Sequence, residues 1–300
     1  MTAKRIIVSG ASGYVGRFIV EGLLEAGHQV LILGRKAPRP DFFSKPVLFQ
    51  SMSLSQTDYD PSVFSGCDGF VHAAFHHVPG KYRGGEGDDP DAFMHLNHDG
   101  SMQLFNAVKA ACVPRAIFLS SRAVYGTQEP GVNLHETQEP KPDTLYGEVK
   151  LRTERALEDL AGENFLPIIL RATGVYGPAK RPLKHKWTEL FHDFDNGKEI
   201  APRVGTEVYG EDLANAVGLL LDASADDIRR AASEEIAPIF NVSDILLDRR
   251  ELWETYADVK QLSKDYLPVR ANADHYNAMD CTRLKSLGWK PRGKLDFSWI

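Results

Sequence analysis

The chain has 300 residues, of which 43% are hydrophobic and 25% charged, as in an ordinary globular protein large enough to bury a substantial core. Its 41 acidic and 35 basic residues give a formal net charge of −6, which argues against nucleic acid as the main partner. Because the chain enters an apolar strand within a few residues and no apolar run reaches membrane-spanning length, we expect a cytoplasmic protein without a membrane partner.

The first part of the sequence alternates apolar strands with an amphipathic helix. Residues 4–9 are typical of a buried strand, 10–16 of a glycine-rich turn, and 15–26 of a helix with one apolar face. A second apolar strand is predicted at 29–33. This βαβ order predicts a parallel sheet.

The same alternation continues to residue 171. Further strands are predicted at 47–49, 69–74, 116–121 and 167–171, with helices around 93–112 and 146–161. The pattern predicts an α/β fold with a doubly wound parallel sheet, a Rossmann fold, in which ligands bind at the carboxyl ends of the strands.

The rhythm changes after Gly177 and Pro178 to a polar stretch, a helix at 187–196 and shorter elements. We interpret this later part as a small, discontinuous substrate-binding region. The predicted division gives a dinucleotide-binding domain at 1–178, with 205–225 and 238–248 packing back on it, and a substrate-binding region at 179–204 and 249–300.

The segment from Pro79 to Asp91 follows a predicted strand end and lacks periodicity. It is rich in glycine and aspartate, which are residues typical of loops. Two interpretations stay open: a mobile lid over the site, or a plain surface insertion.

The turn after the first strand has the spacing G-x-x-G-x-x-G, with Gly10, Gly13 and Gly16. A dinucleotide site needs a tight turn, a backbone close to the pyrophosphate, and a helix packed closely on its strand. A glycine triplet alone is weak evidence, but this one follows an apolar strand and opens a helix. We predict that the cofactor contacts are Gly10, Ser12, Gly13, Tyr14, Val15 and Gly16.

The end of the second strand indicates which nicotinamide cofactor is preferred. An acid there would bind the adenosine ribose, but Gly34 takes its place and is followed by Arg35 and Lys36. These cations suit a 2′-phosphate, with help from the Ser12 hydroxyl, so NADP is preferred and NAD remains an alternative. The alternative interpretation is that Arg35 and Lys36 are solvated surface charges with no role in cofactor binding.

Tyr146 and Lys150 are four residues apart in a predicted helix, which places both on one face. A nearby cation favours the phenolate, so we predict that Lys150 lowers the pKa of Tyr146 and makes it a proton shuttle. Lys150 can also hold the nicotinamide ribose, and Ser121 at a strand end can bond the reacting oxygen. The pattern predicts hydride transfer at a carbonyl or carbinol carbon.

Several motifs occur together in a fixed order along the chain. Besides the glycine loop and the Tyr146–Lys150 pair, they are His72-Ala73-Ala74, Asn97 at a helix start, Ser120 to Gly126, Arg171 to Pro178, Val208 to Ala214, Phe240 to Val242, and Leu287 to Pro291. With them the chain resembles the extended short-chain dehydrogenases/reductases, in the nucleotide-sugar epimerase/dehydratase group, over nearly its whole length.

The resemblance implies roles for particular residues and a homodimeric assembly. Ser121, four residues before Tyr125, takes the catalytic Ser/Thr position ahead of Ser120, and Asn97 is the supporting catalytic asparagine. The further cofactor contacts that it implies are Leu54, Ala73, Ala74 and Thr173.

The chain also departs from the pattern of this group. Arg122 and Ala123 follow the catalytic hydroxyl where 4,6-dehydratases need Asp-Glu, so dehydratase activity is not expected. Gly174 stands where epimerases often carry a substrate-binding asparagine, and Ser53 replaces the usual acid near the second cofactor loop. These departures leave the substrate and the adenine contacts open.

Three residues are candidate substrate contacts: His76, Arg122 and Gly174. For Arg122, binding of a phosphate or carboxylate and a structural ion pair are equal alternatives.

No metal is expected. The histidines at 72, 76, 77, 95 and 98 cluster in sequence, but nothing in it indicates converging ligands. The three cysteines are far apart and form no Cys-x-x-Cys pair.

Three functions are compatible with these residues. The leading hypothesis is an NADP(H)-dependent oxidoreductase acting on a nucleotide-sugar-like or other polyhydroxylated small molecule. The second is 4-epimerisation of a nucleotide sugar with tightly bound NAD. The third is a non-catalytic dinucleotide sensor that binds a partner protein, against which the intact Tyr146–Lys150 pair argues.

Overall fold

Strands and helices alternate through most of the chain in the computed structural model, which describes residues 2–77 and 87–300 apart from 266, 294, 296 and 298. The strands in this part are β1 (Arg5–Ser9), β2 (Gln29–Gly34), β3 (Leu48–Ser51), β4 (Gly69–His72), β5 (Arg115–Ser121), β6 (Leu166–Ala172), β7 (Gly174–Tyr176), β8 (Val204–Tyr209), β9 (Ile239–Val242) and β10 (Ile245–Asp248). The α-helices are α1 (Tyr14–Glu25), α2 (Pro90–Met94), α3 (Gly100–Ala110), α4 (Leu145–Leu160), α5 (Thr188–Asp195), α6 (Gly210–Asp222), α7 (Ala225–Ala231), α8 (Arg249–Lys260) and α9 (Thr282–Ser286).

Seven strands form one sheet in the order β3-β2-β1-β4-β5-β6-β9, and every pairing in it is parallel. The strand order reverses between β1 and β4, which is the point where doubly wound sheets bind their ligands. The doubly wound parallel sheet predicted from the sequence is therefore confirmed.

The apolar strands are buried because helices cover both faces of the sheet. Ile6, Ile7 and Val8 of β1 are each 0% exposed; Ile6 and Val8 belong to one packed cluster and Ile7 to another. On the first side, α1 packs closely against α6, where Gly22 faces Ala214. This close packing fixes the helix that follows the glycine loop.

On the other side of the sheet, α2 and α3 form one helical segment, in which a π-turn at His95–Asp99 joins the two helices. Asp89 caps the start of α2 by accepting a hydrogen bond from the Ala92 backbone at 2.9 Å. The loop predicted at 79–91 lies mainly outside the described residues, and its last two residues, Pro90 and Asp91, already belong to α2.

The small lobe consists of β7, β8 and β10 with helices α5 and α8. β8 pairs with β7 in parallel and with β10 antiparallel. An aromatic cluster fills its core and includes Tyr176, Trp187, Phe191, Tyr209, Trp253, Tyr256 and Phe297.

The sequence analysis assigns residues 205–225 and 238–248 to the dinucleotide-binding domain, but each segment has one element in or on the main sheet and one in the small sheet. β9 is a strand of the main sheet and α6 packs on that sheet, whereas β8 and β10 form the small sheet with β7. None of the helices in the described part of the chain is both long and apolar enough to cross a bilayer.

Candidate active site

The glycine loop lies at the carboxyl end of β1, against the end of β4. Gly10 has a φ of +72°, and a Cβ on it would lie 2.5 Å from the backbone nitrogen of Ala74 and 2.6 Å from the carbonyl of Ala73. A Cβ on Gly16 would overlap the carbonyl oxygen of Gly10. The loop therefore needs glycine at both positions, and it brings Ala73 and Ala74 against the predicted pyrophosphate site.

Helix α1 begins directly after this loop, with Gly13 as an N-cap that supplies no side chain. The amides of the first turn therefore have no side-chain cap, and such a helix N-terminus favours an anion. Ser12 is exposed beside it, and the Tyr14 hydroxyl donates to the Gly177 carbonyl at 2.8 Å. Val15 packs against the core. These features fit a dinucleotide pyrophosphate.

Arg35 and Lys36 are exposed just after β2, on the edge of the sheet that carries the glycine loop. Neither forms an ion pair or side-chain hydrogen bond with any residue that the structure describes. Leu54 is nearby in the chain after β3, and its carbonyl oxygen lies where a Cβ on Gly100 would be. This contact packs the loop that holds Leu54 onto the start of α3.

Two adjacent serines end β5, and their surroundings differ. Ser120 is buried and donates to the carboxylate of Glu154, which also forms an ion pair with Arg171 at 2.7 Å. Ser121 is partly exposed and accepts a hydrogen bond from the Ala123 backbone at 3.1 Å. Ser121 is thus the serine placed to meet a ligand.

Tyr146 and Lys150 lie in the first two turns of α4, which begins after the N-cap Thr144. The Tyr146 hydroxyl lies close enough to the Ser121 side chain for Ser121 to influence its pKa, and the Lys150 ammonium lies 5.9 Å from the ring centroid of Tyr146. The Lys150 ammonium donates to the Leu119 carbonyl at 2.7 Å and lies 4.4 Å from the ring centroid of Phe75. The structure therefore brings Ser121, Tyr146 and Lys150 together.

Burial dominates the acid–base properties of this group. Burial raises the pKa of Tyr146, and the nearby Ser121 side chain acts in the opposite direction. Burial lowers the pKa of Lys150 to about 7, against the effect of the Glu154 carboxylate. The pKa of Tyr146 is therefore raised and not lowered as the sequence predicts, because desolvation of the phenol is the largest cause of its shift.

Asn97 lies in the π-turn, and its side chain binds the backbone of the loop after β4. Its amide oxygen accepts from the His76 backbone nitrogen at 2.6 Å, and its amide nitrogen donates to the His76 carbonyl at 2.9 Å. The same nitrogen donates to the Phe93 carbonyl at 3.0 Å. Asn97 thus holds the loop that carries Phe75, whose ring centroid is 5.0 Å from that of Tyr146. Its catalytic role stays a prediction.

Behind this loop, a buried chain of hydrogen bonds links β1, β4 and the π-turn. Ser101 donates to the Asn97 carbonyl, so its oxygen accepts from Nε2 of His72 at 2.8 Å. His72 is then protonated on Nε2, and its Nδ1 accepts from the Ser9 hydroxyl at 2.6 Å. This chain fixes the His72 tautomer and leaves neither ring nitrogen for a metal.

Thr173 follows β6, and its hydroxyl faces the small lobe. It contacts the Thr206 hydroxyl at 2.7 Å. The Tyr276 hydroxyl accepts from the Thr206 backbone nitrogen at 3.1 Å. The side chain predicted to lie near the nicotinamide is therefore tied to β8 and to the segment around Tyr276.

Gly174 lies against a polar pair that the sequence did not reveal. A Cβ there would overlap both the Lys186 ammonium and the Glu207 carboxylate, which form an ion pair with each other. Burial raises the pKa of Glu207, whereas Lys186 acts to lower it. The space of the substrate-binding asparagine expected in epimerases is thus occupied by this pair.

Arg122 starts the short 3-10 helix after β5. Its guanidinium lies 5.1 Å from the ring centroid of Tyr276 and donates to the Asn277 carbonyl at 2.9 Å. Arg122 therefore connects the end of β5 with the Tyr276 segment.

His76, the other candidate substrate contact on a loop, is exposed, and its backbone is hydrogen bonded to Asn97.

The described residues include no group of three or more potential metal ligands. Of the helix histidines, His95 contacts Asp99 at 2.8 Å and His98 contacts Thr153 at 3.2 Å.

The sequence reasoning missed several side chains that shape the site. Phe75 could have been predicted from the sequence, because it directly follows Ala74 in the loop at the end of a strand. No local sequence pattern indicates Lys186, Glu207 or Tyr276, because these residues come from irregular segments or from the second sheet.

Comparison with known proteins places this geometry in a context. Residues 6–232 match the family model described as the NAD dependent epimerase/dehydratase family. The UDP-glucose 4-epimerase of Streptomyces lividans is 32% identical over 51% of this chain and 46% of its own length. The methionine adenosyltransferase 2 subunit beta of Bos taurus is 27% identical over 95% of this chain and 83% of its own.

The chain spans about half the length of the UDP-glucose 4-epimerases that it matches. Solved structures match it over more of its length. A UDP-N-acetylglucosamine 4-epimerase from Methanobrevibacter ruminantium M1, in complex with UDP-N-acetylmuramic acid, has a TM-score of 0.78 at 22% identity and covers 98% of this chain and 94% of its own. MoeE5 in complex with UDP-glucuronic acid and NAD has a TM-score of 0.75 at 21% identity, with 96% and 94% covered. At these identities the structures show a shared fold.

Proposed function

The chain belongs to the NAD-dependent epimerase/dehydratase family, and from this premise we propose that it is an NAD(P)-dependent oxidoreductase acting on a nucleotide-sugar-like substrate. The observation that carries the proposal is the convergence of Ser121, Tyr146 and Lys150 at the end of β5. These side chains lie on the same edge of the sheet as the glycine loop and the uncapped start of α1.

The residues divide the chemistry between a bound cofactor and the protein. When bound, the nicotinamide supplies or accepts the hydride at the carbon that reacts. Ser121 binds the oxygen on that carbon, and Tyr146 gives it a proton in reduction or takes one in oxidation. Because burial raises the pKa of Tyr146, the phenol holds its proton at neutral pH and is ready to act as the acid.

Lys150 holds the nicotinamide ribose in this proposal, and Phe75 lies against both Lys150 and Tyr146. The Lys150 pKa of about 7 means that its charge changes near neutral pH. The backbone of Ala73 and Ala74, with Leu54, lines the adenosine side, and Thr173 lines the nicotinamide side.

Replacing Tyr146 by Phe tests the mechanism, because it removes the hydroxyl and keeps the ring against Phe75. We expect kcat to fall by about 10²–10⁴, with cofactor affinity nearly unchanged. The measurement follows nicotinamide absorbance with candidate nucleotide sugars, alongside cofactor binding. Unchanged turnover in Tyr146→Phe would contradict the proposed mechanism. Arg152→Gln on the exposed side of α4 is the control and should retain wild-type rates.

A 4-epimerase with tightly held NAD is the second candidate, and the matches to UDP-glucose 4-epimerases support it. The same assay separates the two reactions. A net change in nicotinamide absorbance identifies a reductase or dehydrogenase, whereas interconversion of two sugars without that change identifies an epimerase.

A non-catalytic dinucleotide sensor is the third candidate. It is supported by the match over 95% of this chain to a protein named as a subunit of methionine adenosyltransferase. Cofactor binding without turnover of any nucleotide sugar, in a chain with Tyr146 and Lys150 intact, would favour it. The homodimer and the cytoplasmic location expected from the sequence also stay predictions.

NADP is the preferred cofactor in this proposal because Arg35 and Lys36 follow β2, where an acid would select NAD. We expect Arg35→Ala to weaken NADP binding about tenfold or more, since a charge-assisted contact is lost, and to change NAD binding less than twofold. Titration of both cofactors checks this. Equal losses, or tighter binding of NAD by the wild type, would contradict the preference. The exposed Arg39, which is paired with Asp41 at 3.6 Å, provides the control Arg39→Ala.

A further inference from the structure

Arg122 is a partly buried cation next to the serine that the proposed function uses. Ser121 is the N-cap of the 3-10 helix in which Arg122 is the first residue. Both residues therefore lie at the carboxyl end of β5, where ligands of such sheets bind.

The charge of Arg122 is not neutralised by the residues that the structure describes. No carboxylate among them pairs with it, and its buried Nε has no hydrogen-bond partner there. Two other cations differ in this respect: Lys186 is paired with Glu207, and Arg171 with Glu154. A guanidinium that is partly removed from water gains free energy when an anion takes its unused N–H groups.

The surroundings of Arg122 place it among the side chains of the cleft. Its guanidinium covers the ring of Tyr276, and the hydroxyl of that ring contacts Thr206. Thr206 in turn contacts Thr173 at the end of β6. The guanidinium therefore lies on the small-lobe side of the cleft.

We propose that Arg122 binds a carboxylate carried by the sugar ring of the substrate through the terminal N–H groups of its guanidinium. A guanidinium fork matches the two oxygens of a carboxylate. The position next to Ser121 favours a group on the reacting sugar over the diphosphate of the nucleotide. This inference rests on the proposed function and narrows its substrate to acidic nucleotide sugars.

The test compares two ligands that differ in a single group, UDP-glucuronic acid and UDP-glucose. Their dissociation constants are measured by calorimetry on the full chain with the Tyr146→Phe exchange, which slows turnover during the titration. One series contains saturating NADP⁺ and a parallel series saturating NAD⁺. We expect UDP-glucuronic acid to bind at least about tenfold more tightly than UDP-glucose, because the carboxylate gains a charge-assisted hydrogen bond.

Adding Arg122→Gln should weaken UDP-glucuronic acid binding about tenfold to a hundredfold and change UDP-glucose binding less than twofold. Arg122→Lys keeps the charge without the fork and should give an intermediate loss. Arg152→Gln, an exposed arginine on α4, is the matched control and should leave both constants unchanged. Equal thermal unfolding of the variants shows that each is folded.

Three results would overturn the inference. Equal weakening of both ligands by Arg122→Gln would place the guanidinium on the diphosphate, and unchanged binding would make its role structural. In both cases the proposed function stands, because nucleotide sugars still bind. If neither ligand binds with either cofactor, the inference fails, and the proposed function is decided separately by turnover of the other candidate nucleotide sugars.

Discussion

His72 illustrates how one buried side chain supports the site without touching a ligand. It is 1% exposed and stacks on Phe70 and Phe118, with ring centroids 5.8 and 5.9 Å away. Both ring nitrogens are used, by Ser9 and Ser101. Burial lowers the pKa of His72 to about 3, and the charge of Lys150 acts in the same direction. The neutral imidazole is thus built into the fold.

A pH dependence of stability follows from this. In the unfolded chain His72 takes up a proton near pH 6.5, whereas in the folded chain it stays neutral down to about pH 3. Its contribution to stability is therefore present above pH 6.5 and is lost as the pH falls. Between pH 6.5 and pH 5 we expect this residue to lower the free energy of unfolding by about 2 kcal/mol.

His72→Gln checks this prediction, because glutamine can donate and accept but does not titrate. Denaturant unfolding at pH 7.5, 6.5 and 5 gives, for wild type and variant, the slope of the free energy of unfolding against pH. Other titrating groups are common to both proteins, so they cancel in the difference. Parallel slopes would show that His72 takes up its proton without unfolding, which the buried hydrogen-bond chain does not allow.

At the scale of elements, the contact between α1 and α6 depends on a missing side chain. A Cβ on Gly22 would lie 2.9 Å from the Cβ of Ala214, which is closer than two such atoms approach. Gly218 lies on α6 with nothing within 4 Å of its Cβ position. The two glycines belong to the same pair of helices, but only one of them is required by packing.

The same exchange should therefore have opposite effects at the two positions. Gly218→Ala should raise the free energy of unfolding by about 0.5–1 kcal/mol, since alanine is the better helix former. Gly22→Ala should lower it by about 1–3 kcal/mol, because α1 and α6 must separate. Chemical denaturation of the two variants measures both, and a gain in stability for Gly22→Ala would show that this packing is looser than described.

At the scale of the whole molecule, the sequence predicted the large sheet because its signals are local. Strand and helix periodicity, with glycines at the turns, suffices for the alternation up to residue 171. The grouping of Ser121 with Tyr146 and Lys150 was also predictable, since each has a defined place on a strand or helix. That grouping was found in the structure.

The rest depends on contacts between distant and irregular segments. Nothing local to Arg122 indicates that Tyr276 lies beneath its guanidinium, or that Lys186 and Glu207 meet at Gly174. The direction of the Tyr146 pKa shift was predicted incorrectly for a related reason. A spacing of four residues shows that a cation is near, but it does not show how much water the fold removes from the phenol.

The distribution of tryptophan gives the small lobe an optical signal of its own. Three of the four indoles belong to its aromatic packing: Trp187 and Trp253 in the cluster, and Trp299 against it. The fourth, Trp289, packs on the core of the large sheet and donates to the Asp212 carbonyl at 2.9 Å. With three of the four indoles in the small lobe, we expect tryptophan emission to report mainly on that lobe, so its spectra can follow the lobe without an added dye.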